Sequence, residues 1–212
     1  MNTPQTGTVV LVHGLWFGAW SMRLLGRRLR RAGFATRSFR YRSIRGALDD
    51  HAAALSSFAS PGAREGLHFV VHSLGGLVTL RMLAGHPELP AGRVVLLGSP
   101  LNGSAVASKA ARIPGFARML GGVRPALEAG FTRLPPGWEV GMIAGSRGMG
   151  LGLLVGGTSG AGDGTVAVSE TRADGLQDHL LMPVTHTGLL FSRSVARQVT
   201  SFLRSGSFSG TP

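Results

Sequence analysis

The stretch Phe69-Val70-Val71-His72-Ser73-Leu74-Gly75-Gly76 runs an apolar segment straight into a serine and leaves it through two glycines. Leu67 to Val71 reads as a buried strand, and the apolar residues beyond Ser73, through Leu80 and Leu83, read as a helix closed near Gly85 and Pro87. A serine on so tight a strand-to-helix turn projects its hydroxyl above the sheet edge. There it lies near the positive end of the helix dipole, where an oxyanion is favoured. That setting suits acyl transfer. The same place also suits a serine acting as an ordinary helix N-cap, and the residue types alone leave both roles open.

On either side of this turn the chain alternates short apolar runs with longer helical patterns. Thr8 to Val12 is predicted as a strand, Gly14 to Gly18 as a loop, and Trp20 to Ala32 as a helix stopped by Gly33. Phe34 to Tyr41 follows as a strand, then Gly46 to Ala59 as a helix ended by Pro61-Gly62. Arg93 to Leu97, Trp138 to Ala144 and Leu180 to Val184 complete the strands, and Thr187 to Leu203 forms a closing helix. Such alternation marks βα units around a parallel sheet. The expectation is an α/β fold, a three-layer α/β/α sandwich on a central, mostly parallel sheet of about six strands. Residues 101–137 are weakly helical and broken by Gly and Pro, and are expected to form a short helical cap. The glycine-rich stretch from Gly145 to Gly164 is expected to be a functional loop, because an idle connection of that length would cost ordering entropy without return.

At 212 residues, positions 1–212 suit one domain with the cap as an insertion. The chain has no cysteine, which excludes disulfides, thiolate metal sites and a cysteine nucleophile. With no signal-like start in Met1 to Thr8 and no apolar run of roughly 18 residues, a cytoplasmic location is expected. The net charge is +12, carried almost wholly by arginine, with Lys109 the only lysine. The densest cluster, Arg23, Arg27, Arg28, Arg30 and Arg31, alternates with Leu24, Leu25 and Leu29 as in an amphipathic helix. A solvated basic face accounts for such charge, and a weak contact with an anionic membrane surface is the partner it allows; no nucleic-acid partner is expected. Ile113, Phe116, Met119 and Leu120 among Arg112, Arg118 and Arg124 offer either a membrane contact or, as preferred, a wall of the acyl pocket.

A serine hydroxyl is a weak nucleophile and needs a base, which needs an acid to hold its tautomer. Asp163 stands between glycines in Gly162-Asp163-Gly164-Thr165-Val166, and His186 lies between the last strand and the last helix in Val184-Thr185-His186-Thr187-Gly188. Both fall at the strand ends where open α/β sheets keep their sites. Asp174 and Asp178, in a polar run with Glu170 and Arg172, read as solvated surface. His179 is expected before the last strand, at the opposite sheet edge. His13 reads as a structural brace of its loop.

Taken together, Val12-His13-Gly14, His72-Ser73-Leu74-Gly75-Gly76, Asp163-Gly164-Thr165-Val166 and His186-Thr187-Gly188 resemble the α/β-hydrolase superfamily, in particular its compact lipase-like and esterase-like members. The resemblance spans Val9 to Phe202. It implies a Ser73, Asp163, His186 triad in the family's chain order, and an oxyanion hole from the main-chain N–H groups of Leu15 and Leu74. It implies hydrolysis of small, lipid-like or short acyl esters with no cofactor and no metal. Acyl transfer or thioester cleavage would use the same triad, and a non-catalytic binding protein with a basic surface is the alternative of another class. Three departures stand out: Val71 where the motif usually has a small residue, the absence of two leading strands, and the short cap.

Overall fold

The first strand, β1 (Thr8–Val12), is buried along its whole length. Successive strand side chains point to opposite faces, so a strand with no polar alternate must be covered on both. In the computed structural model, which describes residues 7–60, 66–150 and 160–210, this is the rule for the central strands. Val10 and Val12 join one core with Phe69, Val71, Val94, Leu96, Val140 and Met142. Val9 and Leu11 join the other with Val70, Val95, Leu97 and Ile143.

The strands β2 (Ala35–Phe39), β3 (Leu67–His72), β4 (Arg93–Leu97), β5 (Glu139–Gly145) and β6 (Asp178–Met182) complete a six-stranded sheet in the order β2-β1-β3-β4-β5-β6. Every pairing is parallel, where a mostly parallel sheet was expected. The helices α2 (Leu48–Ala59) and α3 (Leu74–Gly85) cover the first core. The helices α1 (Arg23–Arg31), α7 (Gly188–Phe191) and α8 (Arg193–Ser205) cover the second. Residues 101–137, the expected cap, fold into short helices α4 (Ala105–Ala111), α5 (Phe116–Leu120) and α6 (Arg124–Ala129).

Several boundaries differ from expectation for local reasons. The last strand ends at Met182 rather than Val184, because Pro183 has no N–H for the ladder. It starts at Asp178, which brings His179 inside the strand rather than before it. The closing helix is two helices. Ser192 adopts an extended conformation between them, and its hydroxyl accepts the Val195 N–H at 3.3 Å to start α8. The second helix begins at Leu48 because Gly46 sits at φ +90°, and the Asp50 carboxylate accepts the Ala47 N–H at 2.8 Å. Ala19–Met22 is a 3-10 turn leading into α1. Of the glycine-rich loop, residues 151–159 lie outside the described residues.

Candidate functional site

Ser73 links β3 to α3 at φ +54° and ψ −124°, a region that costs a non-glycine residue about 1–3 kcal/mol and persists only where its surroundings hold it. Here its N–H donates to the Leu97 carbonyl at 2.9 Å, and its own carbonyl accepts the Gly76 N–H at 2.9 Å. The two glycines let α3 start this close to the sheet. A Cβ on Gly75 would lie 2.7 Å from the carbonyl oxygens of both Val12 and His13, and one on Gly76 would run into the Ser99 hydroxyl. Ser73 occupies the N-cap position, yet its hydroxyl makes no capping hydrogen bond. Val71 does not open the turn: its side chain is fully buried in the core beneath α2 and α3.

Asp163 and His186, 23 positions apart, meet as a buried pair. His186 Nδ1 lies 2.7 Å from Asp163 Oδ2, and both side chains are almost wholly buried. The other carboxylate oxygen, Oδ1, accepts the N–H groups of Thr165 at 2.9 Å and Val166 at 2.8 Å. The main chain closes the unit, since the His186 N–H donates to the Asp163 carbonyl at 3.0 Å. A carboxylate held this way accepts Nδ1–H and leaves Nε2 bare. Beneath them, His72 donates its Nε2–H to the His186 carbonyl at 3.1 Å, with the two rings 4.5 Å apart. Burial holds the His72 pKa well below the ordinary histidine range, reinforced by the charge of His186.

Leu74 is the first residue of α3, so its N–H has no acceptor within the helix. Leu15 follows β1, and its amide has no protein acceptor among the described residues. Beside it Trp16 sits at φ +59°, with its N–H on the Ser43 hydroxyl at 3.1 Å and its indole Nε1–H on the Met119 carbonyl at 2.8 Å. His13 braces this loop. Its ring stacks on Tyr41 at 4.4 Å, its Nδ1–H reaches the Gly14 carbonyl at 2.9 Å, and its own carbonyl accepts the Tyr41 hydroxyl at 2.8 Å. Burial lowers the His13 pKa and raises that of Tyr41, so both stay neutral near pH 7.

Ser73, His186 and Leu15 line one cavity of about 240 Å³ whose other walls are mostly apolar, with Phe17 from the β1 loop, Val106, Ala107 and Ala110 from α4, and Leu120 and Leu127 from α5 and α6. Of the four residues expected to wall the acyl pocket only Leu120 lines the cavity: Ile113 and Met119 are exposed and Phe116 is half-buried outside it, and α4 supplies the rest of that wall. The rivals stand elsewhere. His179 bonds Thr171 Oγ1 at 2.9 Å in β6, Asp178 accepts the Phe208 N–H at 2.8 Å, and Asp174 is exposed. Among the described residues no group of three His, Asp or Glu side chains is placed to hold a metal ion, and no helix is long and apolar enough to cross a membrane.

Two contributors were not legible in the sequence. Gly98 follows β4 at φ +58°, and a Cβ there would stand 2.9 Å from Asp163 Oδ2 and 3.2 Å from His186 Nδ1. Glu170, in a polar run that reads as solvated surface, is buried, and its carboxylate accepts the N–H groups of Ala105 at 2.7 Å and Ala167 at 2.9 Å, joining α4 to the Asp163 loop. Burial raises its pKa. A glycine directly after a β strand was the one available signal for Gly98; nothing local distinguished Glu170 from its polar neighbours.

Among curated proteins none matches this sequence. Solved structures of similar fold include the mature Bacillus licheniformis lipase BlEst2, 19% identical with a TM-score of 0.79, covering 98% of this chain and 95% of that one. A metagenomic carboxyl esterase, MGS0156, is 19% identical with a TM-score of 0.67, covering 97% of this chain and 72% of the other. Phospholipase PlaB from Legionella pneumophila is 15% identical with a TM-score of 0.70, over 94% of this chain and 62% of the other. A sequence profile of the alpha/beta hydrolase family matches residues 9–200, nearly the whole span over which strands and site residues are laid out, and the chain belongs to that family.

Proposed function

We propose that this protein is a carboxylic ester hydrolase working through an acyl-enzyme on Ser73. The observation that carries the reading is a serine hydroxyl at a strained strand-to-helix turn, free of any capping bond, lining an apolar cavity together with a histidine that a buried aspartate holds from behind. His186 Nε2 takes the Ser73 proton as Oγ attacks the ester carbonyl. The N–H groups of Leu74 and Leu15 meet the oxyanion, the alcohol leaves with the proton from His186, and a water deprotonated by His186 then releases the acid. Asp163 keeps Nδ1–H in place throughout. No step needs a cofactor. Residues 101–137 act as a cap that supplies the acyl wall within one domain, and the cysteine-free composition fits work in the cytoplasm. The lipase, esterase and phospholipase among its fold neighbours agree with a lipid-like or short acyl ester.

Fluorophosphonate labelling of the purified protein tests this reading, with Ser73→Ala and His186→Ala alongside and p-nitrophenyl esters of graded length as substrates. Labelling lost in both variants, with matching loss of hydrolysis, is the expected result. A protein that never labels would refute the enzyme reading. Product analysis with added alcohols and thioesters separates hydrolysis from acyl transfer and thioester cleavage, which share the acyl-enzyme.

A further inference from the structure

The excess positive charge is not spread over the molecule. Residues 1–48 contain nine arginines and no acid, residues 179–212 contain three arginines and no acid, and residues 49–178 balance ten basic against ten acidic side chains. Five of the nine N-terminal arginines, Arg23, Arg27, Arg28, Arg30 and Arg31, lie on α1 and the three C-terminal ones on α8, and α1, α7 and α8 cover the same face of the sheet; Arg37, Arg40, Arg42 and Arg45 lie in β2 and the loop after it. Arg28 Nη1 donates to the carbonyls of Phe191 at 2.8 Å and Ser192 at 2.9 Å, tying α1 to the junction of α7 and α8. Between α1 and α8 runs an open groove of about 550 Å³ lined by Leu24, Arg28, Arg31, Arg193, Arg197 and Thr200. Partial burial, and then the charges of Arg193 and Arg31, pull the Arg28 pKa below its ordinary value. The groove walls therefore hold positive charge that no acid of α1, α7 or α8 neutralises.

Apolar side chains stand exposed beside these arginines. Trp20 is 64% exposed, Phe191 47% and Leu24 37%. Monomer surfaces carry single exposed apolar residues without consequence, but aromatic residues among arginines at one end of a helix pair are the pattern of an interfacial contact. Their position relative to the site is specific. Trp20 lies 6.2 Å, ring to ring, from Phe17, which lines the Ser73 cavity, and Phe191 ends α7, which starts two residues after His186.

We infer that the face formed by α1, α7 and α8 docks on an anionic phospholipid bilayer, with arginines of the groove on the headgroup phosphates and Trp20, Leu24 and Phe191 in the interfacial layer. A polynucleotide would use the arginines but has no use for Leu24. The cap also exposes Ile113 and Met119, but it turns Leu120 and the side chains of α4 into the cavity and lies within residues 49–178, whose charges balance. Docking here brings the cavity mouth beside a reservoir of acyl esters; that consequence rests on the proposed ester hydrolysis, whereas the docking does not.

The test is co-sedimentation of the full-length Ser73→Ala variant with vesicles of phosphatidylcholine alone or mixed equally with phosphatidylglycerol. Binding is expected to the mixed vesicles only, and to weaken with added salt. Adding Arg31→Gln, Arg193→Gln and Arg197→Gln together should lower the partition coefficient roughly 100-fold, from about fivefold per arginine near an anionic surface. Trp20→Ser with Phe191→Ser should lower it at unchanged salt dependence. With Ser73 intact, the arginine variants should hydrolyse a soluble short-chain ester at the normal rate, which certifies their fold and separates failure of docking from failure of catalysis. Equal binding to neutral vesicles, no binding, indifference to these substitutions, or tighter binding to a single-stranded oligonucleotide than to the mixed vesicles would each overturn the inference.

Discussion

His72 and His186 are joined side chain to main chain: the buried Nε2–H of His72 donates to the His186 carbonyl at 3.1 Å, so the residue before the candidate nucleophile anchors the backbone of the candidate base. His72→Phe keeps an aromatic ring against Phe17 and removes the donor, leaving a buried carbonyl unpaired at a cost of about 1–3 kcal/mol. We expect kcat to fall roughly tenfold or more with KM little changed, because one kcal/mol or so of misplacement at the base acts on the transition state. The substitution also has a pH signature. The native His72 pKa lies well below the ordinary 6.5, so as pH falls below 6.5 the unfolded chain takes up a proton that the native state refuses. Stability is thus full above that pH and declines below it, by up to about 1.4 kcal/mol per pH unit for one histidine. Tm measured from pH 7 down to about 5 should fall less steeply in His72→Phe than in the parent, and an unchanged slope would show that His72 is not held neutral.

Gly98→Ala places a methyl group 2.9 Å from Asp163 Oδ2 at a position whose φ of +58° already disfavours a side chain. The pair must separate or rotate. Hydrolysis should drop by about 10² or more from misorientation alone, while the far-UV spectrum is retained and Tm falls by an amount equivalent to about 1–2 kcal/mol. Activity within twofold of the parent would exclude a tight Asp163–His186 geometry as a requirement.

Replacing Asp163 by Asn keeps the shape but offers a donor or a neutral oxygen to His186 Nδ1, which favours the wrong tautomer. A loss of roughly 10³–10⁴ in kcat is expected, as for the acid of other serine triads. Asp174→Asn, on the exposed rival, should be silent. Steady-state rates of the two variants, measured together, decide between the acids, and the reverse order would move the assignment to Asp174.

Ala107 lines the cavity from α4. Ala107→Leu adds three carbons to the wall of a cavity of about 240 Å³, so the preferred p-nitrophenyl ester should become shorter. Each methylene of substrate excluded from the pocket forfeits about 0.8 kcal/mol, or about fourfold in kcat/KM. A chain-length profile that does not move would place the acyl group elsewhere.

The order of elements, the all-apolar central strands and the Ser73 turn could be read from the chain because each depends on residues close in sequence. Period-two burial, a strand running into Ser-Leu-Gly-Gly and a loop glycine all act over a few positions. Boundaries slipped where a single residue overruled the pattern, as Pro183 did for β6 and Ser192 for the last helix. What needed the fold was everything made by convergence. The pairing of Asp163 with His186, the space left by Gly98, the burial of Glu170 and the adjacency of two acid-free segments all join residues that have no local relationship. Sequence patterning determined which layers this chain must build, since every apolar face has to be covered. Only the tertiary structure decided which polar atoms meet at the sheet edge, because hydrogen bonds and charges act over a few ångströms in space and carry no trace of that distance along the chain.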